Sequence, residues 1–164
     1  LLLLQTFNMN ALTILFMLMA LVSQAIAASV HAGWATAYSG PKQMDATGEN
    51  MCEFNARGLP EKWQIYYGAM NEADWNAAGG KRGACGKCIR VTGVSGQTTR
   101  GFKIKPVYVK IVDQCPGWAC TKGSVDFSTT ALKAITGYGW DKKKIKWSWA
   151  SCPSSGRKLA MSDA

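Results

Sequence analysis

The sequence predicts a small all-β domain: a β-barrel with one or two short helices, stapled by disulfides. Short β-branched and aromatic runs, separated by glycine-containing turns, point to the barrel. All six cysteines lie after an apolar N-terminal segment, and an even count in a secreted chain reads as disulfides.

That N-terminal segment, residues 1–27, carries no charged residue and ends in Ala25-Ile26-Ala27, a small-x-small cleavage pattern. It reads as a signal peptide, so the expected location is extracellular, in a cell wall or apoplast-like space. A transmembrane anchor is the rival reading, because the run approaches spanning length. No basic residue flanks it, which favours the signal peptide. Met9 is a candidate start, since the chain does not begin with methionine. Residues 28–152 then form one domain of ordinary size, and residues 153–164 a flexible tail.

Taken in order, the strands expected are residues 33–39 (GWATAYS), 87–94 (KCIRVTGV), 106–113 (PVYVKIVD) and 143–152 (KKIKWSWASC). The last alternates Ile145, Trp147 and Trp149 with Lys146, Ser148 and Ala150, the pattern of a two-faced strand. VSGQTTRG supplies turn chemistry between strands. One helix is expected over NEADWNAA, with Asn71 as N-cap and Gly79-Gly80 as the stop. A second is expected over STTALKAI, with Ser128 as N-cap and Gly137 as the stop.

Cys85-Gly86-Lys87-Cys88 has zinc-ribbon spacing. Against zinc stand the four residues between Cys115 and Cys120 and the lone His31 near the start of the domain. A thioredoxin-like role lacks the βαβ pattern it needs. Neither metal nor cofactor is expected. The net charge of +9 falls entirely after residue 27 and suits anionic partners: acidic polysaccharide, membrane headgroups or nucleic acid. Its plain alternative is a solubilising surface, and Lys142-Lys143-Lys144 reads as a solvated turn. Seven tryptophans suit either sugar stacking or a small core. Trp118, in the short CPGWAC loop, is the candidate exposed platform. Trp147 and Trp149 are assigned to the core, while Trp34, Trp75 and Trp140 find no place.

The succession GWATAY, AMNEADWN, ACGKC, VKIVDQCPGWAC, VDFSTTALKAI and KKIKWSW resembles the barwin family and the first domain of expansins, together with expansin-like and natriuretic-peptide-like secreted proteins. The likeness runs over almost all of residues 33–152. It implies a six-stranded double-psi β-barrel with an open groove for polysaccharide. It also implies the pairings Cys52–Cys85, Cys88–Cys152 and Cys115–Cys120.

Carried over position by position, the expansin pattern puts Thr36, Tyr38, Asp113 and Asp126 in the groove. In the related family-45 endoglucanases the position matching Asp126 is the general acid, and the general base is an aspartate just after the first strand. Here Ser39-Gly40 follows that strand, and the next carboxylates are Asp45 and Glu49. Inverting hydrolysis needs both groups. Plant expansins usually read His-Phe-Asp where this chain reads Ser124-Val125-Asp126. Asp126 precedes a helix start, where the positive dipole end is expected to hold its pKa down. Its plain alternative is a helix-capping residue, and for Asp113 a turn anchor. Full expansins also carry a second β-sandwich, whereas this sequence stops soon after Cys152.

The expectation is a secreted, monomeric module that binds cell-wall polysaccharide, with acidic types among the candidates, without efficient hydrolysis. The mature form is expected to stay off membranes. The alternatives are a defence or signalling protein of barwin or natriuretic-peptide type, recognising chitin, nucleic acid or a receptor, and a weak glycoside hydrolase or protease inhibitor.

Overall fold

The structure, a computed structural model, describes residues 29–46, 48–55 and 58–154. The proposed signal peptide and most of the proposed tail lie outside the described residues. The chain runs β1 (His31–Ser39), a 3-10 turn (Glu61–Gln64), β2 (Tyr67–Asn71), α1 (Glu72–Ala77), α2 (Gly80–Ala84), β3 (Cys88–Gly93), β4 (Val107–Cys115), β5 (Val125–Ser128), α3 (Thr129–Thr136) and β6 (Lys143–Ala150). No helix among the described residues is long and apolar enough to cross a membrane.

The six strands close into a barrel in the order β1-β5-β2-β4-β3-β6. β1 runs parallel to β5 and β2 parallel to β4, while the other four pairings are antiparallel. This is the expected all-β, double-psi barrel. β5 stands between β1 and β2 in the ring, and β2 between β4 and β5, so the connections from β1 to β2 and from β4 to β5 each pass an intervening strand, and their described residues carry much of the site below.

The core follows from alternation. Ile145 and Trp147 of β6 are about 1% exposed, Ile89 and Val91 of β3 are fully buried, and so are Val109 and Ile111 of β4. α3 lays Ala131, Leu132 and Ile135 over β1, β3, β4 and β5. Its start is fixed as the sequence implies, with Ser128 Oγ accepting from Ala131 N–H at 3.1 Å. It stops at Gly137, whose φ of 85° is left-handed. α1 is likewise capped by Asn71, whose side chain accepts from Asp74 N–H.

β1 and the turn before β5 touch backbone to backbone. A Cβ on Gly33 would lie 2.2 Å from the carbonyl carbon of Gly123, so neither position has room for a side chain. Around this crossing the buried Asp74 carboxylate accepts from Asn71 Nδ2 at 2.7 Å and from Gly123 N–H at 2.8 Å. His31 Nδ1 lies 3.1 Å from its other oxygen, and the His31 ring stacks on Trp147 at 4.0 Å. Trp147 Nε1 donates to Gly123 O at 2.8 Å. A charge and an indole N–H are thus satisfied inside the fold, as burial demands.

The disulfides are Cys52–Cys85, Cys88–Cys152 and Cys115–Cys120, the three pairings the resemblance implies. Three elements differ from expectation. Gly79-Gly80 does not end the helical region, because Gly79 takes a left-handed φ of 98° and a second short helix, α2, starts at Gly80. β2 and β5 are strands absent from the sequence reading. Trp149 packs against the core only partly buried, while Trp147 is fully inside.

Candidate functional site

Strand register builds the site. β1 pairs Thr36 with Asp126 of β5, β5 pairs Asp126 with Ala69 of β2, and β2 pairs Ala69 with Asp113 of β4. Thr36, Asp126, Ala69 and Asp113 therefore stand in one row across four strands. At about 4.8 Å between neighbouring strands, the backbones of the two aspartates are roughly 10 Å apart. Between them stands Ala69, buried against Tyr38 and the Cys115–Cys120 bond. Two register shifts sit here, at Ala37/Ser39 in β1 and at Gly68/Ala69 in β2. Irregularities of this kind re-aim side chains at the surface.

Thr36 Oγ1 donates to Asp126 Oδ1 at 2.7 Å. Burial nonetheless pushes the Asp126 pKa up, against the lowering by Thr36 and by the Phe127 N–H. This corrects the expectation of a depressed value. Asp126 is a residue of β5, three positions before the first residue of α3, and loss of solvent outweighs the helix start. Asp113 Oδ1 accepts the Met51 and Gln114 amides, each at 2.8 Å. Burial raises its pKa as well, opposed by those two donors and aided by the charge of Asp45. Asp113 does anchor backbone, but the backbone of the 50s loop as well as its own strand.

Tyr38 lies close to both carboxylates. Its ring meets Tyr67 edge-on at 6.0 Å. Burial drives its pKa far up, with further rises from Tyr67, Asp113 and Asp126. The buried Tyr38 Oη finds no hydrogen-bond partner among the described residues. Its neighbour Ser39, 2.5 Å from Tyr67 Oη, works against these rises and lowers the Tyr38 pKa. A buried hydroxyl beside two carboxylates, with no protein acceptor, is a costly feature in a fold that satisfies Asp74 and Trp147 completely.

Trp118 is 90% exposed on the CPGWAC loop. The Cys115–Cys120 bond and the Cys120 N–H to Pro116 O hydrogen bond of 2.9 Å hold the loop's shape. Glu72 Oε2 accepts Gly117 N–H at 3.1 Å and ties the loop to α1. An Asp126 carboxylate oxygen lies within 4.8 Å of both sulfurs, so the base of the loop adjoins the aspartate. Cys115, Cys120 and Asp126 are spaced like metal ligands, but the sulfurs are bonded to each other and offer no thiolate.

The sequence leaves the position of Asp45 open. Its Oδ1 accepts Asn50 N–H at 3.1 Å and Asn50 Nδ2 at 2.5 Å, and its charge is felt at both Asp113 and Tyr67. Met51 N–H on Asp113 and Cys52 N–H on Val112 O fix the same loop to β4. Asp45 thus joins the Asp113 end of the row. Ala69 and Glu72 also belong to the site; no local signal marks either, since both matter through partners distant in sequence. Ser124, where plant expansins usually have histidine, accepts Trp34 N–H at 3.2 Å and serves the backbone of β1.

No protein-family model matches the chain, and no curated protein matches it. Among solved structures, an apo expansin of Clavibacter michiganensis is similar at 23% identity and a TM-score of 0.47, covering 77% of this chain and 52% of that one. This chain thus spans about half the length of that expansin. A GH45 endoglucanase in complex with cellobiose is similar at 21% identity and a TM-score of 0.48, covering 74% of this chain and 81% of that one. A Streptomyces papain inhibitor is similar at 16% identity and a TM-score of 0.48, covering 74% and 94%. Expansins and family-45 endoglucanases, two of the groups named by the sequence motifs, are met again among these likenesses, which are likenesses of fold.

Proposed function

We propose that this protein is a secreted module that binds a cell-wall polysaccharide along the row Thr36–Asp126–Ala69–Asp113, without efficient hydrolysis. The observation that carries the reading is the pair Thr36 and Asp126, hydrogen-bonded and both partly exposed, beside the loop that presents the exposed Trp118. Sugar hydroxyls both donate and accept, so one sugar ring can bond the Asp126 carboxylate and the Thr36 hydroxyl together. The exposed indole of Trp118 offers a flat apolar face to the next ring. The segment 1–27 fits this reading as a signal peptide, and three disulfides suit an oxidising location.

Hydrolysis needs an acid that stays protonated and a separate base. Asp126, with its raised pKa, suits the acid, and Asp45 beside Asp113 brings a further carboxylate to the row. These two facts favour weak hydrolysis as the second reading. Against it, Gly40 occupies the position after β1 where the related endoglucanases place their base. The test is to incubate the purified protein with soluble and insoluble neutral β-glucans, measuring retention and new reducing ends for the parent, Asp126→Asn and Asp45→Asn. Retention without new ends, lost in Asp126→Asn, is expected. Reducing ends that vanish in both variants would make it an enzyme. No retention on any glycan, with papain inhibited or an anionic nucleic acid bound, would replace the reading altogether.

A further inference from the structure

On the outward face of β1, two residues before Thr36, stands Trp34. Residues two apart on a strand share a face and lie about 7 Å from each other. Trp34 therefore shares the face of Thr36, one step along β1 from the end of the row. It is half-buried, and its backbone is pinned by the hydrogen bond to Ser124. Lys142 Nζ lies 5.2 Å from the indole centroid and Lys144 Nζ 5.5 Å, and Lys144 is the β6 residue paired with Trp34. Both lysines are exposed. The acid just before them in sequence, Asp141, is held by Lys143 at 2.8 Å and by the Lys142 backbone N–H at 2.7 Å. Among the described residues, neither Lys142 nor Lys144 makes an ion pair. Two ammonium groups with no ion-pair partner among the described residues thus each lie within reach of one aromatic ring.

Resting on the groove reading above, we infer that Lys142 and Lys144, set around Trp34, form a carboxylate-binding subsite, and that the preferred partner is a glycan with a neutral backbone and uronate branches. The charge pattern decides between glycan types. The centre of the row carries Asp113 and Asp126, which repel a polymer charged at every sugar. The Trp34 end carries cations, which attract a carboxylate placed to one side. A neutral chain over the aspartates with a uronate branch on the lysines satisfies both.

The experiment compares retention on glucuronoxylan and on the same glucuronoxylan after reduction of its carboxyl groups, for the parent, Lys142→Gln/Lys144→Gln and Asp126→Asn. The parent should hold the native glycan about three- to tenfold more tightly than the reduced one, as two exposed ion pairs allow. Salt should erase that difference. The double lysine variant should bind both glycans as the parent binds the reduced form. Equal retention of the two glycans by the parent, or an undiminished preference in the lysine variant, overturns the inference and leaves the groove intact. Retention of the native glycan alone, unaffected by Asp126→Asn, overturns the groove and keeps the lysine site. Lysine-dependent binding of a single-stranded oligonucleotide, without any of glucuronoxylan, overturns the inference in favour of nucleic acid.

Discussion

Thr36 Oγ1 donates to Asp126 Oδ1 at 2.7 Å between two parallel strands, joining residues 90 positions apart in the chain. The bond stabilises the ionised carboxylate, and burial works against it. Removing the donor leaves burial unopposed on that side. In Thr36→Val the titration midpoint of Asp126 should move up, followed by the carboxyl carbon shift in NMR. An unchanged or lower midpoint would show that the hydroxyl does not tune the group.

Stability should carry the mark of the same buried carboxylate. Its folded pKa is raised above the ordinary 3.8, so between those two values the folded state holds more protons than the unfolded chain. Stability from this group is therefore greatest at low pH and falls as pH rises through the folded pKa. The amide of Asp126→Asn cannot ionise, while its carbonyl can still accept from Thr36. The melting temperature of the variant should gain on the parent as pH rises from the ordinary 3.8 through the raised folded pKa. A gap that is constant over that range would rule out a raised pKa.

Trp118→Ala separates binding from folding. With the side chain 90% exposed, its loss should leave the melting temperature within a degree or so of the parent, as surface changes do. Loss of one stacking partner should weaken glycan binding by about 0.5–1.5 kcal/mol, roughly two- to tenfold, at any ionic strength. Equal affinity by isothermal titration would remove Trp118 from the site.

The disulfides should differ in weight. By the chain-entropy argument, the Cys88–Cys152 bridge, with a separation of 64, is worth about 4 kcal/mol, and Cys115–Cys120, with a separation of 5, about 2 kcal/mol. Denaturant unfolding of the two double-serine variants should reproduce that order. The short bridge should matter more for glycan retention, because it shapes the loop beside Asp126. The reverse order of stability would mean that native contacts around the short loop outweigh chain entropy.

How far the sequence reaches is clearest strand by strand. β6 announces itself because Ile145 and Trp147 alternate with lysines, one face dry and the other wet. β2 has no such contrast: all five of its residues are buried, and Gly68 is required because a Cβ there would come within 2.9 Å of Asp126 O. β5 has only four residues, and its partners lie far away in the chain. Both strands exist because of neighbours that no local window contains. The site divides in the same way. Thr36, Tyr38, Asp113 and Asp126 are legible through a motif, and the caps at Asn71 and Ser128 through helix chemistry. The direction of the Asp126 shift is not, because a helix start is visible in the sequence and the loss of water around a side chain is not. Asp45 stays unplaced for a related reason: its position is set by an amide of Met51 meeting Asp113 across 62 residues.

Since β6 pairs with β1 to complete the ring, every strand has a neighbour on both sides. An open sheet presents a row of free N–H and C=O groups on which another chain can add, and among the described residues no sheet is left open in this way. Growth of filaments by strand addition would first require β1 and β6 to part, and the Cys88–Cys152 bond tethers the end of β6 to β3. Aggregation should therefore track global unfolding rather than protein concentration in the native state.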